Sequence, residues 1–369
     1  MSLTKESHTH FSVSKQNSPV ESMHEKSMVA SHPESHFDGF DYLRVIFMVM
    51  VLFAHTDLFA YFGNQYSREH GSGANIWDVL YLQVQSCAVP TFVLMSMVLF
   101  CVKPPTLSRA WGRIKKLGYL YGFWVGAWVV YSGLRPAPSV YGVIEFFVRG
   151  GGWVLYTFFV LMLMTPICCL ADKMKKINSW IGPVLALLVI VSTFVYLVDD
   201  LKWTRKMYYW VPTSFLFAPF IAVWLTPKIH ALRESSLLRW KIAGVFILLA
   251  VISALIEWQF SAAEKLHLEW RSFLPKHARP SVHFTAVAVI VLSLAVKSKA
   301  PRIVLFFARN SLGVYCIHPF ILRGVAKPII DFVSPFAPDL AILTASVTIA
   351  VICSWITEFL RRAFRERLV

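Results

Sequence analysis

Residues 37–59 read FDGFDYLRVIFMVMVLFAHTDLF, an apolar run that holds Arg44 in its first half and His55 near its end. A helix that crosses a bilayer needs about 20 mostly apolar residues, so this run predicts a membrane-spanning helix. His55 follows Arg44 by eleven positions. At about 3.6 residues per turn, both side chains would share one face, roughly 16 Å apart along the axis. Ionisable groups within a membrane are costly and usually functional, so this pair is the first candidate site.

Each member of the pair also has a simpler interpretation. Arg44 could anchor the helix at the membrane interface by extending its guanidinium to the lipid headgroups. His55 could form a hydrogen bond to a neighbouring helix. The shared face and the depth of His55 in the run favour a functional role for the two together.

Further apolar runs follow along the chain, in which 56% of residues are hydrophobic and 15% are charged. Soluble domains are roughly 45–50% apolar and about 25% charged, so this composition excludes soluble enzymes, disordered proteins and nucleic-acid-binding modules. The pattern predicts an all-α, polytopic membrane protein with about ten transmembrane helices. Pro212 and Pro219 interrupt the sixth run, and Arg309 and Asn310 interrupt the ninth. The predicted spans cover residues 42–62, 79–101, 117–134, 153–171, 181–198, 209–226, 242–258, 281–296, 303–323 and 340–360.

The first 37 residues differ from the rest of the chain. They contain nine serines and five of the twelve histidines, and their apolar residues are scattered. We therefore expect residues 1–37 to form a disordered cytoplasmic tail and residues 38–369 to form the membrane domain. The six cysteines lie in or beside apolar runs, without a CxxC pair or zinc-type spacing to histidine. We expect neither a disulfide nor a metal site.

The basic residues predict the orientation of the chain in the membrane. The net charge is +15. The even-numbered loops between predicted spans, together with the C-terminal segment, hold 19 Lys and Arg, against 12 in the odd-numbered loops. Cytoplasmic loops carry the excess of Lys and Arg, so we expect both termini to lie in the cytoplasm.

The first helix resembles that of the acyltransferase-3 family of bacterial membrane O-acyltransferases. Family members carry an arginine and a histidine separated by ten residues, and Arg44 and His55 have this spacing. The family's D-x-L-R pattern matches residues 41–44, although Val45 stands where glycine is usual. Further segments resemble family motifs in the same order: VPTFVLMSMVLF (89–100), SRAWGRIKKLGYLYGFW (108–124), GGWVLYTFFVLMLMTPI (151–167) and NSLGVYCIHPFIL (310–322).

The resemblance implies an acyl donor, usually acetyl-CoA, that is reached from the cytoplasm. It also implies a hydroxyl acceptor on an envelope glycan or glycolipid. CoA carries several phosphate charges, and arginine binds phosphate through paired hydrogen bonds, so the basic residues before the third span are candidates for donor binding. Positive-inside topology is the alternative explanation of this group, and it explains Lys115 and Lys116 equally well. The donor-binding candidates are Arg44, Arg109, Arg113, Lys115 and Lys116.

Candidates for a second part of the site lie in two segments. His318 is embedded in the last matching motif, with Tyr315 one turn before it, and Asp41 lies one turn before Arg44. A hydrogen bond that packs two helices together is the simpler interpretation of His318. A role near the acceptor is the functional one.

These observations lead us to expect an O-acyltransferase of the bacterial inner membrane that moves a short acyl group, most simply acetyl. His55 would act as general base on the acceptor hydroxyl or would relay the acyl group, because histidine exchanges protons near neutral pH. Arg44 would orient the donor. Some family members carry an extracytoplasmic domain after the last helix. Since nine residues follow the tenth predicted span here, we expect direct transfer or handover to a separate extracytoplasmic protein.

Two other classes of function stay open. One is an exporter or flippase of a polysaccharide or lipid intermediate, for which broken helices are typical. The other is a non-catalytic scaffold in polysaccharide assembly. The Arg44 and His55 pair argues against a scaffold, which has no use for ionisable groups in the membrane.

Overall fold

The computed structural model describes residues 37–363 except positions 57, 59–60, 63–64, 67–68, 70–75, 133–152, 204–211 and 264–278. The described part is all-helical, with 89% helix and no strand, which confirms the predicted all-α class. The predicted tail lies, apart from Phe37, outside the described residues. The helices are α1 (Asp38–His55), α2 (Ile76–Val79), α3 (Ala88–Cys101), α4 (Leu107–Ser132), α5 (Trp153–Ile177), α6 (Ile181–Trp203), α7 (Phe217–Leu225), α8 (Ile229–Glu234), α9 (Ser236–Ala263), α10 (Pro280–Ser293), α11 (Arg302–Val333) and α12 (Pro338–Ala363).

Each predicted span overlaps a helical segment, but six described stretches are long and apolar enough to cross a membrane. The count of about ten is therefore not confirmed. α1 falls short because Asp38, Asp41 and Arg44 crowd its first two turns. α4 falls short because lysines, tyrosines and glycines lower its mean hydropathy. The six stretches are Leu80–Cys101, Tyr156–Ile177, Thr213–Glu234, Ser236–Glu257, Arg302–Leu322 and Leu340–Ala363.

α3 lies at the centre of the bundle, in contact with α1, α5, α7 and α10. Of the apolar window that includes α3, 78% is buried, against 17% for α9. α9 presents Leu248, Val251 and Leu255 on its exposed surface. An apolar exposed face is expected of a helix whose neighbour is lipid. α11 and α12 pack along each other, and α1 lies against both of them and α3.

The start of α1 is fixed by close contacts with the end of α10 and the segment after it. A Cβ atom on Gly39 would collide with the carbonyl oxygen of Ser293, so a residue with a side chain does not fit here. Asp38 accepts a hydrogen bond of 3.3 Å from the amide of Ala300. These contacts hold the first turns of α1 beside the start of α11.

A buried polar cluster joins α9, α10 and a π-helical segment, Leu80–Gln85, that leads towards α3. Glu257 accepts hydrogen bonds from the amide and the hydroxyl of Ser281 at 2.8 and 2.6 Å. Arg279 lies 4.0 Å from the same carboxylate and donates to the carbonyl of Leu82. Because buried charges need partners, this cluster fixes the relative position of three segments.

Candidate active site

A cavity of about 420 Å³ lies between α1, α3, α5 and α11. Apolar side chains form most of its wall. Among the described lining residues two are charged, Arg44 and Arg309, and both are cations. Hydroxyl groups on the wall include those of Ser96, Thr157 and Tyr315. A wall with guanidinium and hydroxyl groups, and no carboxylate among its described residues, suits an anionic ligand.

Arg44 is oriented by the acidic residue one turn before it. Its Nη1 donates to Asp41 Oδ1 at 2.8 Å. The side chain of Asp41 is 4% exposed, whereas that of Arg44 is 32% exposed. The predicted candidate Asp41 thus lies beside Arg44 and positions it, and only Arg44 of the two lines the cavity. A guanidinium has five N–H donors, so others remain for a ligand.

His55 and His318 lie side by side, with ring centroids 4.8 Å apart and ring planes inclined at 47°. His55 ends α1 and is half-buried, whereas His318 lies in the middle of α11 and is fully buried. The two histidines predicted from separate sequence segments are therefore neighbours. Histidine is the side chain best suited to gain and lose a proton near neutral pH, so the pair can take part in proton transfer.

The hydrogen bond of His318 shows which nitrogen carries its proton. Nδ1 lies 3.1 Å from the carbonyl oxygen of Val314. A carbonyl can only accept, so Nδ1 is the donor and Nε2 is the acceptor of the neutral ring. Within the described part of the chain, Nε2 has no hydrogen-bond partner. His318 therefore offers an acceptor nitrogen in the interior beside His55.

Tyr315 lines the cavity and lies beside His318. Its ring centroid is 6.0 Å from that of His318 and 6.3 Å from that of Phe92. Its hydroxyl shares a hydrogen bond of 2.9 Å with Thr157. Tyr315 lines the cavity, whereas neither imidazole does. The arrangement can thus hold an anion at one end and move a proton at the other.

The basic residues predicted before the third span contact α3 rather than the cavity. Arg109 donates to the carbonyl of Phe100 at 3.1 Å. Arg113 donates to the carbonyl and the hydroxyl of Ser96 at 3.1 and 2.6 Å. The two lysines of this group are exposed. Arg113 therefore reaches the cavity indirectly, through Ser96, and the others have no described contact with its wall.

Arg309 stood out in the sequence only as an interruption of the ninth predicted span. In the structure it lines the cavity, and its guanidinium donates to Glu358 at 3.0 Å. An ionisable residue within a predicted span is itself a reason to expect function, so a signal was present. Ser96 and Thr157 carried no comparable signal, because hydroxyl residues are common in membrane helices.

Comparison with protein families identifies the family of this chain. The model of the acyltransferase-3 family, described as an acyltransferase domain, matches residues 37–358, which include every helix that lines the cavity. No curated protein and no solved structure matches the chain. The family and the apolar helices indicate a multi-pass membrane acyltransferase. Since the match covers nearly the whole sequence, the chain belongs to the acyltransferase-3 family.

Proposed function

We propose that this protein is an O-acyltransferase of the bacterial inner membrane, with both termini in the cytoplasm. It takes a short acyl group, acetyl in the simplest case, from acyl-CoA on the cytoplasmic side and transfers it to a hydroxyl of an envelope glycan or glycolipid. The proposal rests on one observation: the cavity has arginines on its wall, and Tyr315 on the same wall lies beside His318, which contacts His55. Family membership supplies the reaction class.

The donor extends along α1. Arg44 and His55 lie in one helix, Asp38–His55, so at a rise of about 1.5 Å per residue they are roughly 16 Å apart along its axis. An extended pantetheine arm has roughly twelve bonds that each advance a little over 1 Å, and so it covers about the same distance. With its phosphates at Arg44, the donor passes Tyr315 and presents its thioester beside His55. The distance from Arg44 to His55 along α1 then matches the length of the donor's pantetheine arm.

His55 acts on the acceptor hydroxyl. Its imidazole takes the hydroxyl proton while the oxygen attacks the thioester carbonyl carbon. The carbon–sulfur bond then breaks, the acyl group stays on the acceptor oxygen, and the leaving thiolate takes the proton from the imidazolium. A positioned base of this kind contributes about 10²–10⁴-fold to a rate. With direct transfer, no covalent acyl-enzyme is required.

His318 assists His55 from the interior. Its Nε2 is an acceptor, since Nδ1 is bonded to Val314, and its ring lies against His55. An acceptor nitrogen beside His55 can receive a hydrogen bond from the N–H of the His55 ring and orient that ring. His318 is therefore a positioning residue for the base.

Mass spectrometry of envelope glycans from cells with and without the gene tests the proposed function. In the deletion strain we expect one glycan or glycolipid to lose an acetyl mass increment, and the wild-type gene should restore it. His55→Ala should not restore it. His230→Ala should, because the His230 side chain is 90% exposed on α8 and is not among the residues that line the cavity. Identical glycans in the two strains would contradict the proposal.

A further inference from the structure

Glu358, near the end of α12, is bonded to three arginine side chains. Its carboxylate oxygens accept hydrogen bonds of 3.0 Å from Arg309, Arg361 and Arg362. The Glu358 side chain is 6% exposed, whereas those of Arg309 and Arg362 are 50% and 77% exposed. The bonds from Arg361 and Arg362 lie within one helical turn, an ordinary arrangement on a helix. The bond from Arg309 comes from α11 and links that helix to α12.

The cluster carries more positive charge than its carboxylate neutralises. Three guanidinium groups around one carboxylate leave an excess of two positive charges. Pairing at the end of α12 is already provided by Arg361 and Arg362, so Arg309 is not required for it. Arg309 directs one hydrogen bond to Glu358, and a guanidinium has five N–H donors. The remaining donors of Arg309 are therefore available to an anion.

Arg309 and Arg44 line the same cavity, and each is bonded to a carboxylate that does not line it. Asp41 bonds Arg44 at 2.8 Å, and Glu358 bonds Arg309 at 3.0 Å. A carboxylate in this position orients the guanidinium without occupying the ligand's place. The planar fork of arginine suits phosphate oxygens. Two arginines from different helices, both oriented in this way, give the wall a geometry that suits a phosphate group.

We propose that Arg309, oriented by Glu358, is a second phosphate-binding residue of the cavity. Together with Arg44 it binds the phosphates at the nucleotide end of acyl-CoA. The identity of the ligand rests on the proposed function. Glu358 does not touch the ligand and is a positioning residue. Lipid headgroups contain the same phosphate chemistry, so ligands from both sources must be compared.

Binding measurements on the purified full-length protein in phosphatidylcholine nanodiscs test this inference. CoA is compared with S-acetylpantetheine, which has the same arm and no phosphate. Arg309→Ala should weaken CoA binding by about 10- to 100-fold, the range for charge-assisted hydrogen bonds, and leave S-acetylpantetheine binding unchanged. Arg309→Lys should recover part of the loss, because lysine keeps the charge without the fork. Glu358→Gln should weaken CoA binding less than Arg309→Ala does.

Arg302→Ala is the matched control. Arg302 begins α11, is exposed and does not line the cavity, so its removal changes the net charge equally and should leave CoA binding unchanged. Equal losses in Arg302→Ala and Arg309→Ala would overturn the inference in favour of a general charge effect. An unchanged CoA affinity in Arg309→Ala, or an equal loss for S-acetylpantetheine, would overturn it as well.

A second measurement separates this inference from the proposed function. Native mass spectrometry detects phosphatidylglycerol retained by the wild-type protein and by Arg309→Ala. If the wild-type protein binds no CoA but retains this lipid through Arg309, the phosphate site stands with a lipid as its ligand, and the proposed donor fails. If Arg309→Ala changes neither ligand, the phosphate site itself is refuted.

Discussion

Insertion of one alanine between Val49 and Met50 would change the orientation of His55 relative to Arg44 while keeping both side chains in α1. One added residue rotates the helix by about 100° and lengthens it by about 1.5 Å. The contacts of Gly39 and Asp38 hold the first turns in place, so the His55 end moves. A ring roughly 6 Å from the helix axis is displaced by about 9 Å, which ends a contact whose ring centroids are 4.8 Å apart.

The kinetic effect of this insertion should fall on turnover rather than on donor binding. Loss of a positioned base lowers kcat by about 10²–10⁴-fold. The KM for acetyl-CoA should change by less than about threefold if it reflects donor binding, because the Arg44 end stays in place. The assay is release of free CoA thiol by purified protein supplied with an acceptor extract. An insertion after Thr56 is the control, since it adds a residue without changing the spacing from Arg44 to His55. Near-normal turnover in the Val49 insertion would refute the claim that the donor needs Arg44 and His55 at their native spacing on one face of α1.

Three further perturbations test other parts of the interpretation. Arg44→Ala should raise the KM for acetyl-CoA by about 10- to 100-fold because charge-assisted hydrogen bonds to phosphate are lost, and Arg44→Lys, which keeps the charge, should raise it less. An unchanged KM in Arg44→Ala would leave Arg44 as an interfacial anchor. Glu257→Ala should lower the free energy of unfolding by about 3–5 kcal/mol, seen as an earlier denaturant midpoint, because Arg279 loses its buried carboxylate; an unaltered midpoint would show that the cluster is not structural. A C-terminal reporter should be active in the cytoplasm, and activity restricted to the other side would disprove the predicted topology.

The helices of this protein could be predicted from the sequence because apolar runs are a local signal. The pair in α1 could also be predicted, since Arg44 and His55 share one helix and their spacing alone sets their relation. The number of membrane spans could not be settled in this way. α1 and α4 carry charged and polar residues in their first turns, and length and hydropathy do not show whether such helices cross the bilayer.

Contacts between helices that are distant in the sequence could not be predicted from local sequence patterns. His318 was a candidate for a second part of the site, but its position against His55 depends on how α11 packs on α1. Arg309 and Glu358 lie on different helices, and their partnership is a property of the α11 and α12 pair. Donor binding by the basic residues before the third predicted span stays a prediction. The structure adds that Arg109 bonds a backbone carbonyl at the end of α3, a contact between helices that local patterns do not reveal.

Transfer of an isotopically labelled acetyl group by purified protein tests the central claim most directly. The protein, in nanodiscs, receives labelled acetyl-CoA and an envelope extract that contains the acceptor, and both the labelled product and free CoA are measured. The proposed mechanism predicts that the wild-type protein forms labelled acceptor and CoA in equal amounts. His55→Ala should bind CoA normally and form neither product. Acetyl transfer by His55→Ala at the wild-type rate, or no transfer by the wild-type protein, would contradict it.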